Sequence, residues 1–228
     1  VKSMKKHLSK LLSFFLCMSF FVTISNKANA AEEIIPVNIS VQYGQTEART
    51  ILNMINEMRT SDYDAWCWDE TNTKKVAYWG DALTYDYDLE KLAMKRAAEL
   101  VIRYDHTRPN NEDLSSIYKE ENITDWQFVG ENIAIGYHSA QAVNTAWRED
   151  GEDYKGQGHR RNMLNPKFNC VGIGHVKYDG CDYWVEEFAY RPEINTTVVP
   201  AINSTETVSV SVNKTKIKKV TVGFDQEA

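Results

Sequence analysis

Cys170-Val-Gly-Ile-Gly-His-Val-Lys-Tyr-Asp-Gly-Cys-Asp-Tyr-Trp-Val-Glu-Glu-Phe-Ala-Tyr190 holds two alternating, β-branched and aromatic runs on either side of Asp179-Gly180. An Asp-Gly pair between such runs signals a two-residue hairpin, because both central residues of the favoured turn need positive φ. The turn also sets the register. Cys181 then faces Tyr178, and Cys170 lies opposite Ala189, roughly 25 Å from Cys181 at about 3.3 Å per residue. A Cys170–Cys181 disulfide conflicts with that hairpin. Cys67 is therefore one partner of any internal disulfide, and buried free thiols are the alternative that the odd count of Cys67, Cys170 and Cys181 leaves open.

Upstream of the hairpin the pattern is helical. Ile51, Leu52, Ile55 and Met58 recur at three and four residues and predict an amphipathic helix over Glu47–Met58. A second helix carries the stripe Leu89, Leu92, Ala93, Ala97, Leu100, Val101 and Tyr104, with Asp88 as its cap. It ends before His106-Thr-Arg-Pro-Asn110, since the residue preceding proline avoids the helical region. A polar loop is expected to about Gln127. A third helix starts at the N-cap Ser139 and buries Ala140, Val143, Ala146 and Trp147; a short helical turn, His159–Leu164, is stopped by Asn165-Pro166. Helices and a hairpin in runs, without strict alternation, argue for an α+β layered domain.

The ends differ in composition. Residues 1–30 have a basic start (Lys2, Lys5, Lys6, Lys10), an apolar run from Leu11 to Ile24 and small residues through Ala30, the pattern of a cleaved secretory signal peptide. The run contains Ser13, Ser19 and Thr23 and is shorter than the ~20 residues a span takes, so no stable membrane insertion is expected after cleavage. Residues 31–44 read as a leader, 45–192 as the domain, and 193–228 as a linker or the start of a further β module, or as a disordered tail. Export would place the chain outside the cell, secreted or associated with the cell wall. The chain has a formal charge of −6, and loss of the lysine-rich, acid-free residues 1–30 makes it more acidic still. With no basic stripe, nucleic-acid binding is excluded.

Five strings carry a further reading: His106-Thr-Arg-Pro-Asn110, Gly130-Glu-Asn-Ile-Ala134, Trp147-Arg-Glu-Asp150, Gly158-His-Arg-Arg-Asn-Met-Leu164 and Tyr183-Trp-Val-Glu-Glu-Phe188. In order and separation, over Gln45 to Pro192, they resemble the CAP superfamily of cysteine-rich secretory, antigen 5 and pathogenesis-related proteins, in its bacterial SCP-like branch. The resemblance implies an α-β-α sandwich with a small antiparallel sheet between helical layers. It also implies a surface cleft where two histidines and two acids converge: His106, Glu131, Asp150 and His159. Asp150 takes the second acidic position, three residues after Trp147. Helix phase points the same way, since at about 100° per residue Asp150 falls within the buried arc and Glu149 to one side. Glu152 and Asp153 are alternatives for that acid.

Two imidazoles beside a carboxylate suit Zn²⁺ or another divalent cation on His106 and His159. An adjacent carboxylate would then activate water, the outline of a peptidase-like metal hydrolase. The other expectation is a non-catalytic extracellular module whose cleft binds a lipid, a peptide or a cell-surface component, because no string places Ser or Cys beside an activating histidine. His138 and His175 lack acidic or cysteine partners at ligand spacing and read as solvent or core residues. Trp66, Trp68, Trp79 and Trp126 read as packing, and Arg160 and Arg161 as surface or cleft hydrogen-bonders.

Overall fold

The structure, a computed structural model, describes residues 33–78 and 80–216. In chain order its elements are β1 (Ile34–Tyr43), α1 (Gln45–Ala48), α2 (Ile51–Arg59), β2 (Trp66–Trp68), β3 (Lys75–Ala77), β4 (Thr84–Tyr85), α3 (Tyr87–Ile102), α4 (Ser115–Glu120), β5 (Phe128–Ile135), α5 (Ala140–Arg148), α6 (Gly158–Leu164), β6 (Cys170–Tyr178), β7 (Cys181–Tyr190) and β8 (Thr205–Asn213). Residues 1–32, on which the expected signal peptide falls, Trp79 and residues 217–228 lie outside the described residues.

β6 and β7 pair antiparallel with Tyr178 opposite Cys181 and Cys170 opposite Ala189. Asp179 and Gly180 have φ of 49° and 76°, as the two-residue turn requires. Cys67, Cys170 and Cys181 are buried free thiols. The hairpin is the middle of a sheet ordered β5-β7-β6-β1-β8, with β4 parallel to β6; β2 and β3 form a separate two-stranded ribbon.

The outer strands correct the expected boundaries. Residues 34–43 are no leader but β1, and residues 205–213 start no separate module but form β8, paired with β1 from Ile34↔Asn213 to Gln42↔Thr205. Each segment alternates too weakly to bury a core alone. Together they place Ile39, Val41, Tyr43, Val210 and Val212 against Ala93, Ala97 and Leu100 of α3. The partner that the 193–228 segment lacks in a local reading lies some 170 positions upstream, by direct count of the paired residues.

Helices cover both faces of the sheet. α2, α5 and α6 bury Ile51, Ile55, Met58, Val143, Trp147, Met163 and Leu164 against Val171, Ile173, Trp184 and Phe188. α3 covers the other face, so the α-β-α sandwich is as expected. Local details differ. The first predicted helix is broken at Arg49-Thr50, where the Arg49 guanidinium donates to both oxygens of Glu90 at 2.7 Å. Asp86, and not Asp88, caps α3, its Oδ1 accepting from the amides of Asp88 and Leu89. The expected polar loop contains α4, whose Ile117 and Tyr118 pack with Leu89, Leu92 and Ile123.

α3 lies directly on β6. A Cβ on Gly172 would stand 2.1 Å from the Leu89 carbonyl carbon, and one on Gly174 2.3 Å from that of Ala93. Backbone on both sides leaves no side chain to yield. Gly172→Ala is therefore expected to destabilise the fold by about 3 kcal/mol, the upper end of overpacking costs, read from urea unfolding; an unchanged midpoint would refute the close contact.

Candidate functional site

β5 is an edge strand, and its side chains alternate between the two helical layers. Glu131 faces α3. Its Oε2 accepts from Arg96 Nε at 2.7 Å, and its Oε1 lies 2.7 Å from His106 Nδ1. Arg96 also donates to the Asp105 carbonyl and to Glu99, and Glu99 holds the buried Arg108. α3 thus pins both ends of the segment that carries His106, whose side chain is 62% exposed. Burial alone would raise the Glu131 carboxyl, but the His106 bond and the Arg96 charge hold it below the ordinary range. The same bond to Glu131 raises His106.

The second histidine meets an acid that the helix phase does not select. α5 ends at Arg148, and Glu149 takes the left-handed conformation with φ of 48°. Its carboxylate turns back over the start of α6: Oε1 is 2.5 Å from His159 Nδ1, while Oε2 accepts from the amides of His159 and Arg160. The Asp150 side chain is 49% exposed, against 12% for Glu149, and pairs with Arg148 and Arg160. Glu149 therefore replaces Asp150 beside His159. An angle of 100° per residue has no meaning once the chain leaves the helix. Gly151, a helix-end signal, was the cue to stop extrapolating.

Asparagines join the two pairs. Asn132 Nδ2 donates to the His159 carbonyl, and Asn162 Nδ2 donates to the Glu131 carbonyl and to Asn132 Oδ1. His106–Glu131 and His159–Glu149 thus flank consecutive residues of one strand. Side chains also occupy the outward carbonyls of the edge, since Ile133 O accepts from Tyr104 OH and Trp147 Nε1. Along this edge runs a groove of about 510 Å³ lined chiefly by Tyr104, Tyr137, Trp147, Glu149, Glu152 and His159. Asp150 stands at its rim; His106 and Glu131 are not in its lining.

Each imidazole is held at Nδ1 by a carboxylate, the outer-shell arrangement of metal-binding histidines. Among the described residues, however, no three His, Cys, Asp or Glu side chains stand together to hold a metal. The arrangement does not fit a resident catalytic zinc, which takes three protein ligands.

Two readings of single residues change. Arg160 is fully buried, donating to the carbonyls of Asp64, Trp66 and Arg148. His138 and His175 do meet an acid: Asp182 Oδ2 is 2.7 Å from His138 Nδ1, and its Oδ1 is 2.6 Å from His175 Nε2. His175 stacks on Trp184 with centroids 3.5 Å apart. The His175–Asp182 contact is diagonal across the hairpin and the His175–Trp184 stack directly across it, so the turn register already contained both.

A family model described as CAP, the cysteine-rich secretory protein family, matches residues 52–188. The chain belongs to this family. It is 28% identical over 130 residues to the uncharacterized protein YkwD of Bacillus subtilis (strain 168), covering 56% of this chain and 47% of that one. The chain thus spans about half the length of that relative. Among solved structures, an extracellular protein containing a SCP domain from Bacillus anthracis str. Ames is similar at 20% identity and TM-score 0.48, over 64% of this chain and 41% of that one. An outer surface protein from Borrelia burgdorferi is similar at 19% identity and TM-score 0.49, over 64% and 94%. Both β1 and β8 fall outside the matched CAP range.

Beneath the CAP cleft lie two further acids. Glu187, opposite Glu131 in the strand register, is raised well above the usual range by burial and by the Glu131 charge, with the Tyr118 hydroxyl donating to it. Glu186 faces the other layer, accepts from Asn132 Nδ2 at 2.8 Å, and burial pushes it up to about 8. An acid raised by folding binds more protons folded than unfolded, so stability falls as pH rises between the ordinary value of 4.5 and about 8. Glu186→Gln is therefore expected to be more stable than the parent at pH 8 and equal to it at pH 4 in urea unfolding. His106 has the opposite sign. Its contribution is present below 6.5 and is lost as pH rises through its raised value. The parent's advantage over His106→Asn should accordingly be larger at pH 5.5 than at pH 9, and a pH-independent difference would contradict the His106–Glu131 pairing.

Proposed function

We propose that the chain is an extracellular CAP-domain binding module whose cleft along β5 takes up a ligand without transforming it. The observation that carries this reading is a pair of carboxylate-oriented histidines bonded to consecutive residues of one edge strand, His106 to Glu131 and His159 through its carbonyl to Asn132, with the His159–Glu149 pair lining an open groove. The chemistry of the neighbouring groups supports binding over catalysis. Burial pushes the thiols of Cys67 and Cys170 up to about 11 and about 12, so neither is an available thiolate. Both Glu131 oxygens are occupied by Arg96 and His106, which leaves the carboxylate a poor base toward water. The signal-like N-terminus supports export. Among the described residues no helix is long and apolar enough to cross a membrane.

The metal-dependent hydrolase reading rests on the Nδ1–carboxylate bonds alone. With only two imidazoles offered, a divalent cation there is an exchangeable ligand of the module. Titration calorimetry with ZnCl₂, alongside assays on peptide and ester substrates with and without zinc, separates the two. The expected result is no turnover in either condition, with any heat of zinc binding lost in His106→Ala and His159→Ala. Zinc-dependent turnover that disappears in His159→Ala would overturn the binding-module reading.

A further inference from the structure

We infer that the groove recognises an organic cation, a primary amine or guanidinium on an apolar stem, presented either as a lysine or arginine side chain or as a free alkyl amine. The inference rests on the binding-module reading and names its ligand class. The lining contains no Lys or Arg; its acidic members are Glu149, Asp150 and Glu152, and His159 stands with them.

The three carboxylates differ in what they have left to give. Glu149 is occupied by His159 and the start of α6. Asp150 is balanced by Arg148 and Arg160. Among the described residues no side-chain or backbone donor bonds the exposed Glu152 carboxylate, which lies over Gly156, where a Cβ would come within 2.7 Å of Oε2. Nor is Glu152 on a loose loop. Tyr154 N donates to Asn72 Oδ1 at 2.6 Å, Trp68 N donates to Gln157 Oε1 at 2.8 Å, and Asp153 Oδ1 accepts from Lys155 and Gly156.

The lining also offers exposed aromatic rings. Tyr104 and Tyr137 are 49% and 39% exposed and line the groove with Ile133, Ala134 and Trp147. Tyr104 is oriented by its bond to the Ile133 carbonyl, and Tyr137 by the bond its own carbonyl accepts from Trp184 Nε1. A cation between such rings and an unpaired carboxylate gains from the ring quadrupoles and from the charge, while its stem covers apolar wall. An anion meets three acids, and a neutral alcohol meets only the wall.

The test uses three six-carbon probes, hexylamine, hexanol and hexanoate, and the tripeptide acetyl-Gly-Lys-Gly-amide. Binding is followed by NMR shifts of Tyr104 and Tyr137 in the full chain. Hexylamine is expected to bind best, less tightly as salt is raised, and about fivefold more weakly in Glu152→Gln or Tyr137→Ala, with the remote exposed Glu206→Gln unchanged. A tripeptide tighter than hexylamine identifies a side chain as the source of the cation; the reverse identifies a free amine. Hexanol or hexanoate matching hexylamine, or Glu152→Gln without effect, overturns the cation inference and leaves the groove a binding site. Probes of every charge leaving both tyrosines unshifted would overturn the binding-module reading with it.

Discussion

The His106–Glu131 half of the cleft descends from the seating of α3 on two glycines. Gly172 and Gly174 offer backbone where other residues would offer side chains, so the helix sits against β6 at Leu89–Glu90 and Ala93–Met94. That seating puts Arg96 beside the edge strand, where it meets Glu131 and the Asp105 carbonyl, and Glu99 beside Arg108. A helix held a side chain's width further out would lose these bonds, and with them the anchor of the loop carrying His106. The packing of a face without side chains and the position of an exposed imidazole are one constraint.

The charged groups under α3 depend on that constraint for their balance. Arg96, Glu99, Arg108 and Glu131 are all buried, and a buried charge without its partner is costly. Their pairing makes the His106 loop part of the interior although His106 itself reaches solvent. Glu187, facing Glu131 across the strand register, is pushed well above the ordinary range by its burial and by the Glu131 charge. On the opposite face, the Asn132–Asn162 link ties the same strand to α6. One strand thus receives two separately built histidine–acid pairs, one from each helical layer.

Much of this was legible locally. The turn register of the hairpin, the buried stripes of α2 and α3 and the Ser139 cap follow from periodicity and turn chemistry, while His106, Glu131 and His159 come to attention only through the family resemblance of their motifs. What escaped did so for identifiable reasons. Helix phase favours Asp150 over Glu149 only if the helical angle is extended two residues past Arg148, the last helical residue. β1 reads as a leader because its stretch is mixed and contains Pro36 and Gly44, β8 alternates weakly, and neither shows its partner nearby. α4 was hidden in a polar stretch whose Ile117 and Tyr118 are too few to show a period.

By itself the sequence determined what depends on neighbours in the chain: the α+β class, the hairpin and its register, the positions of the two histidines, and the acidic character of the chain. Only the tertiary structure decided which acid meets each histidine, that the terminal segments complete the sheet, and that the thiols stay apart and buried. These are contacts between residues distant in the chain, or at points where the backbone leaves regular geometry. A left-handed residue at Glu149 redirects a side chain by more than any periodicity can anticipate, and a strand pair closed across the whole domain has no local signal to announce it.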